Sequence, residues 1–343
     1  MIRRSAAVCL AGFLAGTAWI FAAPGDPGSP GSEGTPVFKE TDPYAQPERK
    51  EPSFWHSPAC ATPAAQLALA SAKEKAGRIR GAITANRSLV HRWHDATEAA
   101  IAQQNLARLL ETAGRYEDAF LEYQYLIAYF PGRFPFLDVL DRQYRIANLL
   151  RANRSTFLGI QLDSLDGVRK MYERILVNGP RWDQAPAIAL LIGAVREAED
   201  EIPEALAAYE QTQNLYPGSD AARDASYRAA VCRYRFARKH PRDAQSCVQA
   251  LAALGSFLRD YRADPRQVEL TAYRAELERQ DADAAYAQAV FYDRSRNDRA
   301  AAILAYRDFL RRYPDAATSA AAKARLTQLE KPSTTAPKGT PNR

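Results

Sequence analysis

Methionine, histidine and closely spaced cysteine are scarce in this chain, and their scarcity excludes most site chemistry. Its 343 residues hold two Met, four His and four Cys. Of the histidines only His91 and His94 share a helical stretch, with Asp95 and Glu98 nearby. That spacing suits a metal ion, but no motif fixes a third ligand, and solvated helix-end residues are the simpler reading. There is no Cys-x-x-Cys pair, no glycine-rich phosphate loop and no nucleophile elbow. The chain is therefore expected to be no enzyme and to hold no cofactor and no metal. The apolar run near the N-terminus lacks a cysteine at its end, where a lipid acceptor would stand: Cys9 comes too early and Cys60 too late. Strong charge of one sign is also missing. The formal charge is +6, with a pI near 9.1. Part of the basic excess sits at the ends, in Arg3, Arg4, Lys331, Lys338 and Arg343, so nucleic acid is not implied.

What is present is alanine, leucine and tyrosine. With few runs of β-branched residues this favours helix. The chain divides by composition. Residues 1–23 join a basic start, Met1 to Arg4, to an apolar run, the pattern of a signal peptide or a signal anchor. The rest is expected to be exported. Residues 24–62 are expected to be a Pro-rich, disordered linker; from Pro24 to Pro63 there are nine Pro in forty residues, with too few apolar groups to bury a core. Trp55 and Phe54 near its end either dock on the first helices or stay loose. Residues 63–331 carry a helical pattern throughout, and 332–343 form a short disordered tail.

The helical region repeats a skeleton. Ala302, Tyr306, Phe309 and Tyr313-Pro314 recur as Ala119, Tyr123, Leu126 and Phe130-Pro131, and again as Ala205, Tyr209, Thr212 and Tyr216-Pro217. Offsets of 0, 4, 7 and 11 lie on one helix face, and the proline ends the helix by pushing its predecessor out of the α region. Degenerate copies are Ala82, Asn86, Leu89 before Trp93-His94; Val168, Tyr172, Ile175 before Gly179-Pro180; and Ala250, Leu254, Phe257 before Tyr261-Arg262. The fold class is all-α: a tetratricopeptide-like α-solenoid of five to six helix hairpins. A C-terminal helix, capped by Thr318 or Ser319, closes it. The small residue marks where two antiparallel helices cross, and the aromatic fills the groove to the next unit. One insertion, Asn153 to Ser164, carries Phe157, Leu158, Ile160 and Leu162 and is expected to pack on the array.

Function must lie in residues this skeleton leaves free. The aromatic stretch from Phe120 to Tyr144 holds more rings than one helix face needs. Tyr125, Tyr129, Arg133 and Tyr144 are the candidates for a groove that takes an extended peptide. Arg233, Arg235, Arg238 and Lys239 make a basic helix, either a solvated face or a contact for an acidic partner. The acidic group Glu197, Glu199, Asp200, Glu201 and Glu204 reads as a solvated turn. Cys232 and Cys247 fall on neighbouring helices: they either form a disulfide in an oxidising compartment or pack as buried thiols.

The segments AFLEYQYLIAYFPG and RQYRIANLL resemble the BamD family of outer-membrane protein assembly factors. So does the ending AELERQDADAAYAQAVFYDRSRNDRAAAILAYRDFLRRYPDAATSAAAKARL. The resemblance spans about Ala64 to Glu330. It implies a periplasmic location at the outer membrane and no catalytic residues. The implied partners are a BamA-like barrel insertase with other subunits of the assembly complex, and unfolded outer-membrane proteins. By that likeness the second and third units would receive the unfolded segments, and the fifth and sixth, with the basic helix, would meet the insertase. The chain departs from the family in lacking the lipid-acceptor cysteine and in having six units where the family has five. A scaffold of cell-wall division or of pilus or secretion assembly is the other reading.

Overall fold

The structure, a computed structural model, describes residues 47–153, 165–241 and 243–331, and the backbone of Thr156–Phe157 and Ile160–Gln161. The expected signal segment, the linker as far as residue 46 and the tail from residue 332 lie outside the described residues.

Six helix hairpins follow one another in chain order. They are α1 (Pro63–Lys75) with α2 (Ile79–Arg92), α3 (Thr97–Thr112) with α4 (Tyr116–Tyr129), and α5 (Phe136–Ala152) with α6 (Asp166–Asn178). Then come α7 (Ala185–Ala198) with α8 (Ile202–Leu215), α9 (Asp220–Lys239) with α10 (Ala244–Asp260), and α11 (Gln267–Val290) with α12 (Arg299–Arg312). A thirteenth helix, α13 (Ser319–Glu330), packs on α12. Among the described residues the strands are a small antiparallel hairpin inside the insertion, where β1 (Thr156–Phe157) pairs with β2 (Ile160–Gln161). The expectation that the insertion packs on the array rests on side chains outside the described residues.

The repeated skeleton is the core. Ala82, Ala119, Ala205, Ala250 and Ala302 are fully buried at the helix crossings, where only a small side chain lets two backbones approach. Tyr123, Tyr172, Tyr209 and Tyr306 fill the space beside them, and Leu89, Leu126, Ile175, Phe257 and Phe309 complete the stripe. One hairpin alone cannot cover such a face, so stacking supplies the core.

Both ends of each second helix follow from local chemistry. At its start, α4 is entered through Gly114 at φ 73°, and α8 through Asp200 at φ 62°, left-handed positions that favour Gly and tolerate Asp. At its finish, Phe130 before Pro131 stands at φ −126°, ψ 43°. Tyr261 takes the same geometry, φ −121°, ψ 52°, with Arg262 after it instead of proline. The Tyr261 ring lies 4.9 Å from Phe257, so the packed aromatic holds the helix end even where proline is missing.

Two expectations, on the cap of α13 and on Glu197, are corrected, and of the two readings of the cysteine pair one is found. Neither Thr318 nor Ser319 caps α13: Thr318 makes no capping bond, and the Ser319 hydroxyl donates to the carbonyl of Tyr313 at 2.7 Å. Cys232 and Cys247 are free buried thiols rather than a disulfide. They point into different neighbours, Cys232 toward Ala205 and Tyr209, Cys247 toward Ala250 and Leu254. Burial pushes the Cys232 thiol up to about 11. Glu197 is not a solvated turn residue but the centre of an ion-pair cluster, described below.

Candidate functional site

The seam between the first two hairpins is occupied by the chain itself. Residues 47–51, from the segment expected to be a disordered linker, run along α2, α3 and α4 as an extended strap. Tyr129 on α4 donates its hydroxyl hydrogen to the carbonyl of Pro47 at 2.6 Å. The backbone N–H of Lys50 donates to the Tyr125 hydroxyl at 2.9 Å. His91 on α2 donates from Nδ1 to the carbonyl of Glu51 at 2.7 Å. Three side chains thus satisfy backbone groups of an extended peptide, the mode by which grooves bind chains independently of sequence.

Two strap side chains add sequence dependence. Arg49 makes a forked pair with Asp95 at 3.0 and 2.9 Å, in an exposed setting where such pairs contribute little. Lys50 enters the protein. Its ammonium donates to Gln103 Oε1 at 3.1 Å and to Glu122, and lies 4.2 Å from the centre of the Tyr125 ring. Glu122 is set in place beforehand: Gln103 donates to its carboxylate at 2.7 Å and to its carbonyl at 2.8 Å. Burial lowers the pKa of Lys50, opposed by the Glu122 carboxylate. Burial also pushes the Tyr125 phenol up to about 12. Beneath the strap, His94 stacks on Phe130 at 4.9 Å. It meets Tyr125 and Tyr129 edge-on, and its Nε2 is buried without a partner.

Beyond the strap the linker is tied down to the first repeat. The N–H groups of Ala59 and Cys60 both donate to Gln66 Oε1 at 3.1 Å, and Gln66 Nε2 donates to the carbonyl of Ala85. Between these ties a single 3-10 turn, Phe54–His56, brings His56 onto His91 at 4.1 Å. Phe54 and Trp55 remain exposed.

The candidate residues divide accordingly. Tyr125 and Tyr129 are adjacent, 4.6 Å between rings, and both touch the strap. Arg133 sits at the rim, its guanidinium 3.4 Å from the Ala96 carbonyl. Tyr144 is elsewhere: it packs against Tyr172 inside the third hairpin and against Trp182 in the connection to the fourth. Gln103 and Glu122 escaped the sequence reading, in which His91 figures only as a metal candidate or a solvated helix-end residue. Each stands on the helix face that the skeleton leaves free, and nothing in the sequence marks a lone Gln or Glu as a receptor for a segment some fifty residues away.

The basic helix α9 is largely neutralised from within the array. Arg233 pairs with Glu210, Arg235 lies 3.5 Å from Glu197, and Arg238 donates to the Tyr234 hydroxyl at 3.4 Å; Lys239 is exposed at the helix end. Glu197 also accepts from Tyr209 at 2.6 Å and from Arg228 at 3.2 Å. That group is one of three alike. Tyr123 donates to Glu111, which holds Arg142; Tyr306 donates to Asp293, which holds Arg325. In each, the tyrosine and acid belong to one hairpin and the arginine to the next helix along, so the set ties neighbouring units together.

Among the described residues no group of three His, Cys, Asp or Glu is placed to hold a metal ion, and no helix is long and apolar enough to cross a membrane.

With this geometry in view, the comparisons fall on the repeat. Residues 283–316 match the tetratricopeptide repeat family, which covers the end of α11 and all of α12. The array is similar to a tetratricopeptide repeat protein from Parabacteroides merdae, with 11% identity over 78% of this chain and 98% of that one, at a TM-score of 0.30. It is also similar to the C-terminal part of a repeat-containing protein from Cytophaga hutchinsonii, with 15% identity over 77% and 88% and a TM-score of 0.30. Comparison with curated proteins finds no match. The family match thus covers one repeat, and the helix hairpins around it form a tetratricopeptide-like α-solenoid. No catalytic family is identified.

Proposed function

We propose that this chain is a non-enzymatic periplasmic scaffold of outer-membrane β-barrel assembly, exported by its N-terminal segment and held near the membrane by that segment or by its partners. Its first two hairpins receive an extended segment of an unfolded barrel protein. Its fifth and sixth hairpins meet the insertase, a BamA-like partner. The observation that carries the reading is the strap. An extended peptide lies along α2, α3 and α4 with its backbone bonded to Tyr129, Tyr125 and His91, and an unfolded barrel strand offers the same backbone groups. The signal-like start and the segments that resemble the BamD family support the compartment and the pathway. The resemblance put the receiving groove in the second and third units; the strap moves the proposed site to the seam of the first and second. The internal pairing of Arg233 and Arg235 leaves Lys239 and Arg238 as the more available part of the proposed insertase contact.

Affinity purification of the tagged full-length chain from envelope extracts of its own cells tests this. The insertase and unfolded barrel proteins are the expected companions. Recovery of cell-wall division, pilus or secretion components without an insertase would overturn the assembly role in favour of that second class of scaffold.

A further inference from the structure

We propose that the seam of the first two hairpins is a lysine socket for extended peptides, and that the chain keeps it closed with its own Lys50. The inference rests on the reading of the seam as a peptide site and adds what that site selects and how it is gated.

The socket is built for an ammonium. Gln103, fully buried, turns a carbonyl oxygen toward Lys50 and uses its amide N–H to aim the Glu122 carboxylate at the same point. The Tyr125 ring face completes the enclosure, the arrangement in which a cation and an aromatic quadrupole attract. Arg87 lies 3.9 Å from the other Glu122 oxygen, so the carboxylate keeps a partner when Lys50 leaves. A guanidinium is planar and broader than an ammonium and would not fit between Gln103 and the ring. The neighbouring Arg49 is accordingly directed outward, to exposed Asp95. Selection therefore falls on lysine, with the carbonyl three residues before it read by Tyr129 and the carbonyl just after it read by His91.

The strap is placed to leave without unfolding the array. It contributes nothing to the helical core, and the next tie along the chain, at Ala59 and Cys60, holds α1 independently of it. While seated, it leaves Tyr125 only 2% exposed, so an external chain reaches the seam only by displacing it. A tethered ligand competes at a high effective concentration, which makes the seated strap a brake on incoming peptides.

The test uses the full chain and a fluorescent peptide copying residues 46–53, with anisotropy as the readout. In the Lys50→Glu chain the strap faces Glu122 with a like charge and is expelled; the substitution lies outside every helix, and circular dichroism checks the fold. Saturable binding of the probe to that chain, at least ten-fold tighter than to the unaltered one, is the expected result. A probe carrying Met at the position of Lys50 should not bind. Equal binding of the probe to both chains, or equal binding of the Lys and Met probes, would overturn the proposal. A second probe, a barrel-strand peptide with a terminal aromatic, separates the two readings. Should it bind both chains equally while the lysine probe binds neither, the seam is a peptide site and the socket is refuted. Should only the lysine probe bind, the socket holds and the barrel-segment reading falls.

Discussion

Tyr123 and Arg142 converge on one oxygen: the tyrosine hydroxyl donates to Glu111 Oε2 at 2.9 Å and the Arg142 guanidinium to the same atom at 3.0 Å. The tyrosine follows its acid by 12 residues in the second and fourth hairpins and by 13 in the sixth. The arginine follows the acid by 31, 31 and 32 residues. The difference between arginine and tyrosine, 31 − 12 and 32 − 13, is 19 in all three. The extra residue in the last case falls where α11 runs into a π-helical turn, Phe291–Ser295, which contains Asp293. An inserted residue in the helix is absorbed as a π-turn, and the acid stays in place.

Removing the acceptor should therefore hurt more than removing the donor. Tyr123→Phe loses one hydrogen bond while Glu111 keeps Arg142, at a cost of about 1 kcal/mol. Glu111→Ala leaves the buried hydroxyl without an acceptor and strips Arg142 of its partner, at a cost of about 2–3 kcal/mol. Urea denaturation of the two variants checks the order.

Two helix glycines should respond in opposite directions. A Cβ at Gly193 would lie 2.5 Å from Cδ1 of Tyr209 and 3.1 Å from its Cζ, against a ring with no room to move. Gly193→Ala is expected to destabilise by about 1–3 kcal/mol. Gly255, inside α10, has nothing within 4 Å of the same position, so Gly255→Ala should stabilise by about 0.5–1 kcal/mol. Thermal melts of both variants measure the pair of signs.

Alkaline pH should unfold the array through its tyrosines. Burial holds the phenols of Tyr125 and Tyr172 at about 12, above the ordinary value near 10. A folded-state pKa above the unfolded one gives stability that is fully present below pH about 10 and lost as pH rises toward 12. Tm should be flat through neutral pH and fall steeply between about pH 10 and 12. Phenylalanine at position 172 removes one such proton linkage and should soften the fall.

The fold was legible because it is written in a local code. A small residue, an aromatic four places on and an aromatic at the helix end each act within one helix, so Ala119, Tyr123 and Phe130 announce their unit. The Tyr–acid–arginine ties were legible in principle, through the constant spacing of 19, but acids and arginines are common and the pattern shows only once Tyr123, Tyr209 and Tyr306 are aligned. The seam was half legible. Tyr125 and Tyr129 stood out as surplus rings, whereas Tyr144 belonged to the packing of the third hairpin. The strap was hidden because residues 47–51 have the composition of a linker, and their seating depends on Gln103 and Glu122, which composition does not distinguish from surface residues.

The central claim is that the seam of the first two hairpins holds an extended chain, and a photo-reactive residue in place of Tyr129 tests it most directly. With the barrel-strand peptide added to the purified full chain, bearing Lys50 or Lys50→Glu, adducts should form at position 129, saturate with peptide and be absent from the same residue placed at the exposed Phe236 on α9. Absence of adducts at position 129 in both chains from this peptide and from the lysine peptide alike, or equal yields at 129 and 236, would contradict the account.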